Sequence, residues 1–194
     1  IDFAHNYLKL GLPTRIEPLR LDDYNQVIFP LSSQIRMQFP KRGAGLPACE
    51  ILWRDGSDAV PALDQKYYNS DASGKLVPPR LGRAGSILHR SDEQFVIHRG
   101  SHSSASRLYP RASMMDYKQA LKAPSGGLDH MQSFIQSCMG NGKTSSPFSV
   151  GGPLTQLLML GVIAQYLNEG FNFDRGTERI TNNPVADALL DGPK

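Results

Sequence analysis

The sequence predicts an α+β fold: a mainly antiparallel, open β-sheet with helices packed on one face. Strand-like segments fill the first two thirds of the 194 residues and helix-like segments the last third. In "SQIRMQFP", Ile35, Met37 and Phe39 alternate with Gln34, Arg36 and Gln38, the period of two that marks a half-buried strand. The turn-rich "KRGAG" joins that segment to "PACEILW", and so short a connection favours antiparallel neighbours.

Taken in order, residues 1–10 read as the end of a helix, closed by Gly11 and Pro13. "TRIEPLRL" reads as a strand, followed by the pair just described, which ends at "RDGSD". Residues from about 61 to 83 carry Pro, Gly, Asp, Asn and Ser without periodicity, which predicts a long surface excursion. "GSILHRSDEQFVIHRG" predicts a hairpin turning near Ser91, and "SHSSASRLYPRAS" a polar connection. In "GLDHMQSFIQSCMGNG", Leu128, Met131, Phe134, Ile135 and Cys138 recur at helical spacing, with Gly140 as the stop. "GGPLTQLLMLGVIAQYLNEG" predicts a buried helix with Pro153 near its first position and Gly161 at a close backbone contact. "NNPVADALLDGP" predicts a short helix capped by Asn183, with Pro184 first and Gly192 at the close.

Composition narrows the function classes. A net charge of +3, with no basic block interleaved with aromatics, argues against a nucleic-acid partner. The most apolar run, "LLMLGVIA", falls short of the roughly 20 residues a membrane helix needs. Cys49 and Cys138 form neither a disulfide framework nor a zinc spacing, and both read as buried free thiols.

Neither the dinucleotide fingerprint nor the P-loop is present; "GNGK" is a lone turn. His98 and His102, with Arg99 and Arg107, suit an anion or sugar site at the hairpin end, or simply a solvated one. Asp2 and His5 are three apart, hence on one face of a helix, and an Asp that orients a His is an arrangement used in acid/base work. No metal-ligand pattern accompanies these histidines.

The last third carries a resemblance. Pro153-Leu154-Thr155-Gln156, Leu160-Gly161, Ala164, Phe173-Asp174, Thr181-Asn182, Pro184 and Ala186 resemble the C-terminal region of the Gfo/Idh/MocA oxidoreductases, the glucose–fructose oxidoreductase and inositol dehydrogenase family. The likeness is to its Bacteroidetes and Planctomycetes branch, with Gln156 where that branch has Glu and Phe173 where it has Trp. His130, Phe134 and Cys138 stand where the family tends to place a His, a Trp and a Cys. "FPKRGAGLPACEILWRDG" is similar to its Phe-Pro, Gly-rich turn and Trp-x-Asp-Gly stretch, so the likeness covers nearly the whole chain.

"IDFAHNYLKLGLPTRIE" resembles the segment after the family's catalytic Asp-x-x-x-His pair, which makes Asp2 a supporting catalytic residue. The resemblance implies that residues 1–194 are one substrate-binding and oligomerisation domain, truncated at both ends. The catalytic His would fall just before Ile1, the catalytic Lys and the bound NAD or NADP would lie in a missing N-terminal Rossmann domain, and no cofactor is expected on this chain itself. The resemblance further implies a sugar or polyol substrate walled in by the C-terminal sheet and a homo-oligomer formed through that sheet; His5, which stands where relatives often place an aromatic, joins His98 and His102 as a substrate-binding candidate. An NAD-dependent glycosidase of the same family, and a non-catalytic sugar-binding or assembly module, are the alternatives. Ile51, Leu52 and Trp53 fit a strand buried in a dimer as well as one covered by the chain's own helices.

Overall fold

The structure, a computed structural model, describes residues 1–43, 45–56, 59–82, 84–91, 94–99, 106–109, 114, 129–144 and 147–192, without the side chains of 95, 98 and 99. The predicted α+β architecture is observed. A short helix α1 (Asp2–Tyr7) leads into strands β1 (Arg15–Asp22), β2 (Ser32–Phe39) and β3 (Cys49–Gly56). β9 (Phe171–Asp174) and β10 (Arg179–Ile180), from the far end of the chain, complete a five-stranded antiparallel sheet in the order β10-β9-β1-β2-β3. A second sheet holds β6 (Gly85–His89), β7 (Phe95–Arg99) and β8 (Arg107–Tyr109).

One helix organises the main core. α3 (Phe148–Leu167) lies on β1 and β2, where Leu157, Leu160, Ile163 and Ala164 meet Ile16, Ile35, Met37 and Phe39. All eight are buried, and each fully buried aliphatic side chain contributes about 1.5–3 kcal/mol. The alternation that predicted β2 thus separates a core face from a polar one. Trp53 and Ile51 of β3 pack on the same core, while Leu52 between them is 44% exposed on the opposite face. The chain's own helix therefore covers one alternation of β3 and leaves the other open.

Gly161 is where helix and sheet come closest. A Cβ there would stand 2.6 Å from Trp53 Cζ3 and 2.7 Å from Met37 Cε. Four residues on, the buried Gln165 donates from Nε2 to Ser33 Oγ at 2.6 Å, the polar tie in an otherwise apolar seam. Replacing Gln165 by Ala leaves that hydroxyl buried and unpaired, so we expect a loss of about 1–2 kcal/mol in chemical denaturation. A Gln165→Ala variant as stable as the parent would show the tie to be idle.

α3 departs from expectation at its start. It begins at Phe148, so Pro153 sits inside the helix instead of near its first position. So early in the helix a proline forfeits only the bond to the Ser149 carbonyl, which solvent can satisfy. Full burial begins only at Leu157: Phe148 is 96% exposed, whereas Leu157 and Leu160 are fully buried. Its 20 residues and mean hydropathy of 1.3 make it long and apolar enough to cross a membrane, a test that a core helix passes equally.

Other elements also differ from the sequence reading. The excursion from about 61 to 83 carries a 3-10 turn (Gln65–Tyr67) and a hairpin of β4 (Asn69–Ser70) and β5 (Leu76–Val77). It also contributes Leu63, Tyr67 and Leu81 to a second core around Ile97 and Tyr109, so part of it is packed and not surface. "RLY", read as a polar connection, is β8. α2 (His130–Cys138) forms as predicted, yet its apolar stripe is uncovered: Met131, Phe134 and Ile135 are all exposed. Neither cysteine is buried as expected, Cys49 being half-buried and Cys138 exposed. The final helix, α4 (Pro184–Leu189), carries the expected cap, Asn183 Oδ1 accepting from Ala186 N at 3.0 Å.

Ion pairs hold the polar side of the sheet. Glu17 on β1 stands opposite Arg36 on β2 and accepts from its Nε at 2.6 Å, while Arg15 Nη2 reaches the other carboxylate oxygen at 2.9 Å. The Arg36 hydrogen bond holds the Glu17 carboxyl below its ordinary value of 4.5, with burial opposing and Arg15 adding to the effect. Asp187, bonded by Arg179 Nη2 at 2.7 Å, is likewise depressed below its usual 3.8. A carboxyl with a lowered folded pKa binds fewer protons folded than unfolded, so its contribution is present above the unfolded value and lost as pH falls through the folded one. The denaturation midpoint is therefore expected to drop as pH falls below 4.5, and Glu17→Gln to flatten part of that drop. An identical acid profile in the variant would remove Glu17 from the account.

Candidate functional site

α1 is the element that positions the predicted residues. Ala4 is buried and anchors the helix, Gly11 turns the chain with φ +63°, and the following strand β1 fixes the exit. Asp2, the first helical residue, is exposed; its carboxylate is favoured there by the positive end of the helix dipole. His5, one turn later, is half-buried, and α1 rests against β6. Asp2 and His5 share no hydrogen bond among the described residues, so the supposed orienting contact is not formed in this geometry.

His5 Nε2 is buried and has no hydrogen-bond partner among the described residues. The same holds for Ser86 Oγ on β6, the strand that α1 packs against. A buried polar atom left unpaired costs about 1–3 kcal/mol, so two of them on touching elements mark a place where polar groups go unanswered. Directly across from Ser86 in the β6–β7 ladder stands His98, whose backbone is described and whose side chain is not. His102 lies outside the described residues. The structure thus brings His5 to the strand whose register partner is His98. The sequence reading missed Ser86; its signal, one hydroxyl in the apolar run "GSILH", is too common to stand out.

Chemically, an imidazole nitrogen and a hydroxyl each donate or accept, so each suits a hydroxyl group of a polyhydroxylated compound. Among the described residues no group of three His, Cys, Asp or Glu side chains is placed to hold a metal ion.

Two clefts lie elsewhere. One of about 440 Å³, lined by Thr14, Gln38, Phe39, Cys49 and Glu50 among others, opens at the β2–β3 end of the sheet. Arg42 Nη1 donates there to Cys49 Sγ at 3.0 Å, a contact the sequence did not announce. The other, of about 100 Å³, sits between the β1–β2 loop and Tyr166. That loop exposes Val27, Ile28, Phe29 and Leu31, yet it is held firmly: Asn25 Oδ1 accepts from Val27 N and Ile28 N, each at 2.9 Å.

No protein-family model, no curated protein and no solved structure matches the chain.

Proposed function

We propose that this chain is the substrate-side domain of an NAD(P)-dependent oxidoreductase acting on a sugar, polyol or sugar derivative. The observation that carries the reading is that, on the touching elements α1 and β6, the buried His5 Nε2 and Ser86 Oγ have no partners among the described residues. Its support from the sequence is the Gfo/Idh/MocA resemblance, in which the residues around Asp2 and His5 border the substrate. On this reading the cofactor's seat belongs to a Rossmann domain outside these residues, and the cofactor itself supplies the hydride chemistry. This chain's part is to hold the substrate: His5 and Ser86 bind its hydroxyls, and Asp2 supports them from the solvent side. A homo-oligomer formed through the sheet belongs to the same reading.

The test uses the chain as it stands. Saturation-transfer NMR against a panel of monosaccharides and polyols should show weak binding of at least one member, lost in His5→Ala. An NADH titration followed by energy transfer from Trp53 should show no saturation. Silence across the whole panel, or saturable NADH binding, would overturn the reading.

A further inference from the structure

β3 is the last strand of its sheet, and its outer edge is open: among the described residues it pairs with β2 alone. Apart from the turn that Ala59 N closes on the Gly56 carbonyl at its end, no backbone hydrogen bond among those residues reaches its other side. Such an edge offers a row of unpaired N–H and C=O groups, which proteins ordinarily blunt with charged side chains, Lys above all, or with Pro, a bulge or brevity. Of these β3 has only charges, Glu50, Arg54 and Asp55, and they are of both signs. It runs for 8 residues without Pro or Lys, in unbroken register with β2 from Cys49↔Phe39 to Gly56↔Ser32.

Its sequence is complementary to itself. Glu50, Leu52 and Arg54 share the side of the sheet away from α3, and Glu50 and Arg54 make no ion pair among the described residues. Ile51 and Trp53 share the core side. A two-fold axis at Leu52 sets Leu52 against the partner's Leu52, Glu50 against the partner's Arg54, and Ile51 against the partner's Trp53. One antiparallel register thus matches opposite charges on the open face and apolar groups on the core face, where a slip by one residue would lose both.

We propose that β3 pairs with β3 of a second copy about an axis at Leu52, joining the two sheets edge to edge. An isologous contact of this kind is the commonest way for like chains to close a dimer. The proposal narrows the sheet-mediated oligomer to one strand and register, and it stands without the carbohydrate reading.

Sedimentation velocity should show a dimer for the parent chain. Glu50→Arg or Arg54→Glu alone sets like charges opposite each other twice across the axis and should weaken the dimer by about tenfold or more. The double variant exchanges the two signs and should restore it, a recovery that a merely misfolded chain would not give. A Leu52→Cys substitution, in a Cys49→Ser, Cys138→Ser background, tells edge from face. Paired edge residues lie about 4.5–5.5 Å apart at Cα, within disulfide reach, whereas sheets stacked face to face are about 10 Å apart. Covalent dimer under mild oxidation supports edge pairing. A monomeric parent, a dimer indifferent to both single reversals, or a dimer that the Leu52→Cys substitution fails to cross-link would each overturn it.

Discussion

Gly161→Val is expected to destabilise the domain by about 3 kcal/mol, the upper range for overpacking a well-filled core. The reason is a three-way contact. The first added carbon alone would come within 2.9 Å of two Trp53 ring atoms and of the Met37 methyl. Met37 Cε is the tip of a flexible side chain and can swing aside, so the clash rests mainly on the Trp53 ring, which is packed against the core. The gain in helix propensity on replacing glycine, about 0.5 kcal/mol, is too small to compensate. Denaturant unfolding of Gly161→Val, Trp53→Leu and the double variant isolates the cause: the double variant should recover part of the loss. Additive effects would place the strain elsewhere.

Gly56→Ala is expected to cost about 3 kcal/mol for a different reason, backbone strain joined to a backbone clash. At φ +95° the residue occupies a region that side-chain-bearing residues rarely adopt. A Cβ there would also lie 2.3 Å from the Leu31 carbonyl oxygen and 2.5 Å from Ser32 Cα. Ser32 is the first residue of β2, directly opposite Gly56 in the ladder, and Leu31 leads into it, so relief requires opening the end of the β2–β3 pair. Thermal unfolding of Gly56→Ala should show a lowered midpoint, with hydrogen exchange accelerated in β2 and β3 before other strands. A midpoint unchanged from the parent would mean that the turn relaxes more freely than the contacts allow.

These two glycines also mark where the sequence was legible and where it was not. Gly161 stands in an apolar helical run, where a small residue announces close packing, and the period-two pattern of β2 placed the opposing wall. Gly56 looked only like a turn, because its constraint comes from Leu31 and Ser32, which are remote in sequence. Periodicity says which side of an element is apolar; it does not say what covers it. α2 has the stripe it was expected to have, and that stripe faces solvent. β9 alternates buried Phe171 and Phe173 with exposed Asn172 and Asp174, but over only four residues, and β10 has only two; β9 joins the sheet through Arg15 and Ile16 of β1. The site was partly legible. His5 carried chemistry by its residue type, but its unsatisfied nitrogen and its neighbour on β6 follow from how a remote strand packs, which no local spacing encodes.

α3 has a further consequence, because its two halves are held unequally. From Leu157 onward it is pinned by the sheet, by Gln165 and by the Tyr24 hydroxyl on the carbonyl of Tyr166. Before that it is held more lightly: Gln156 Nε2 donates to Glu178 Oε2 at 3.1 Å, and the first residue, Phe148, is 96% exposed. A rod held tightly along one half and lightly along the other is a lever. A load applied at the lightly held end reaches the clamped turns as torque, and these turns rest on Trp53 in β3 and Ile16 in β1. Whatever presses on the tip of the helix is thereby felt in the strands of the sheet, several turns away.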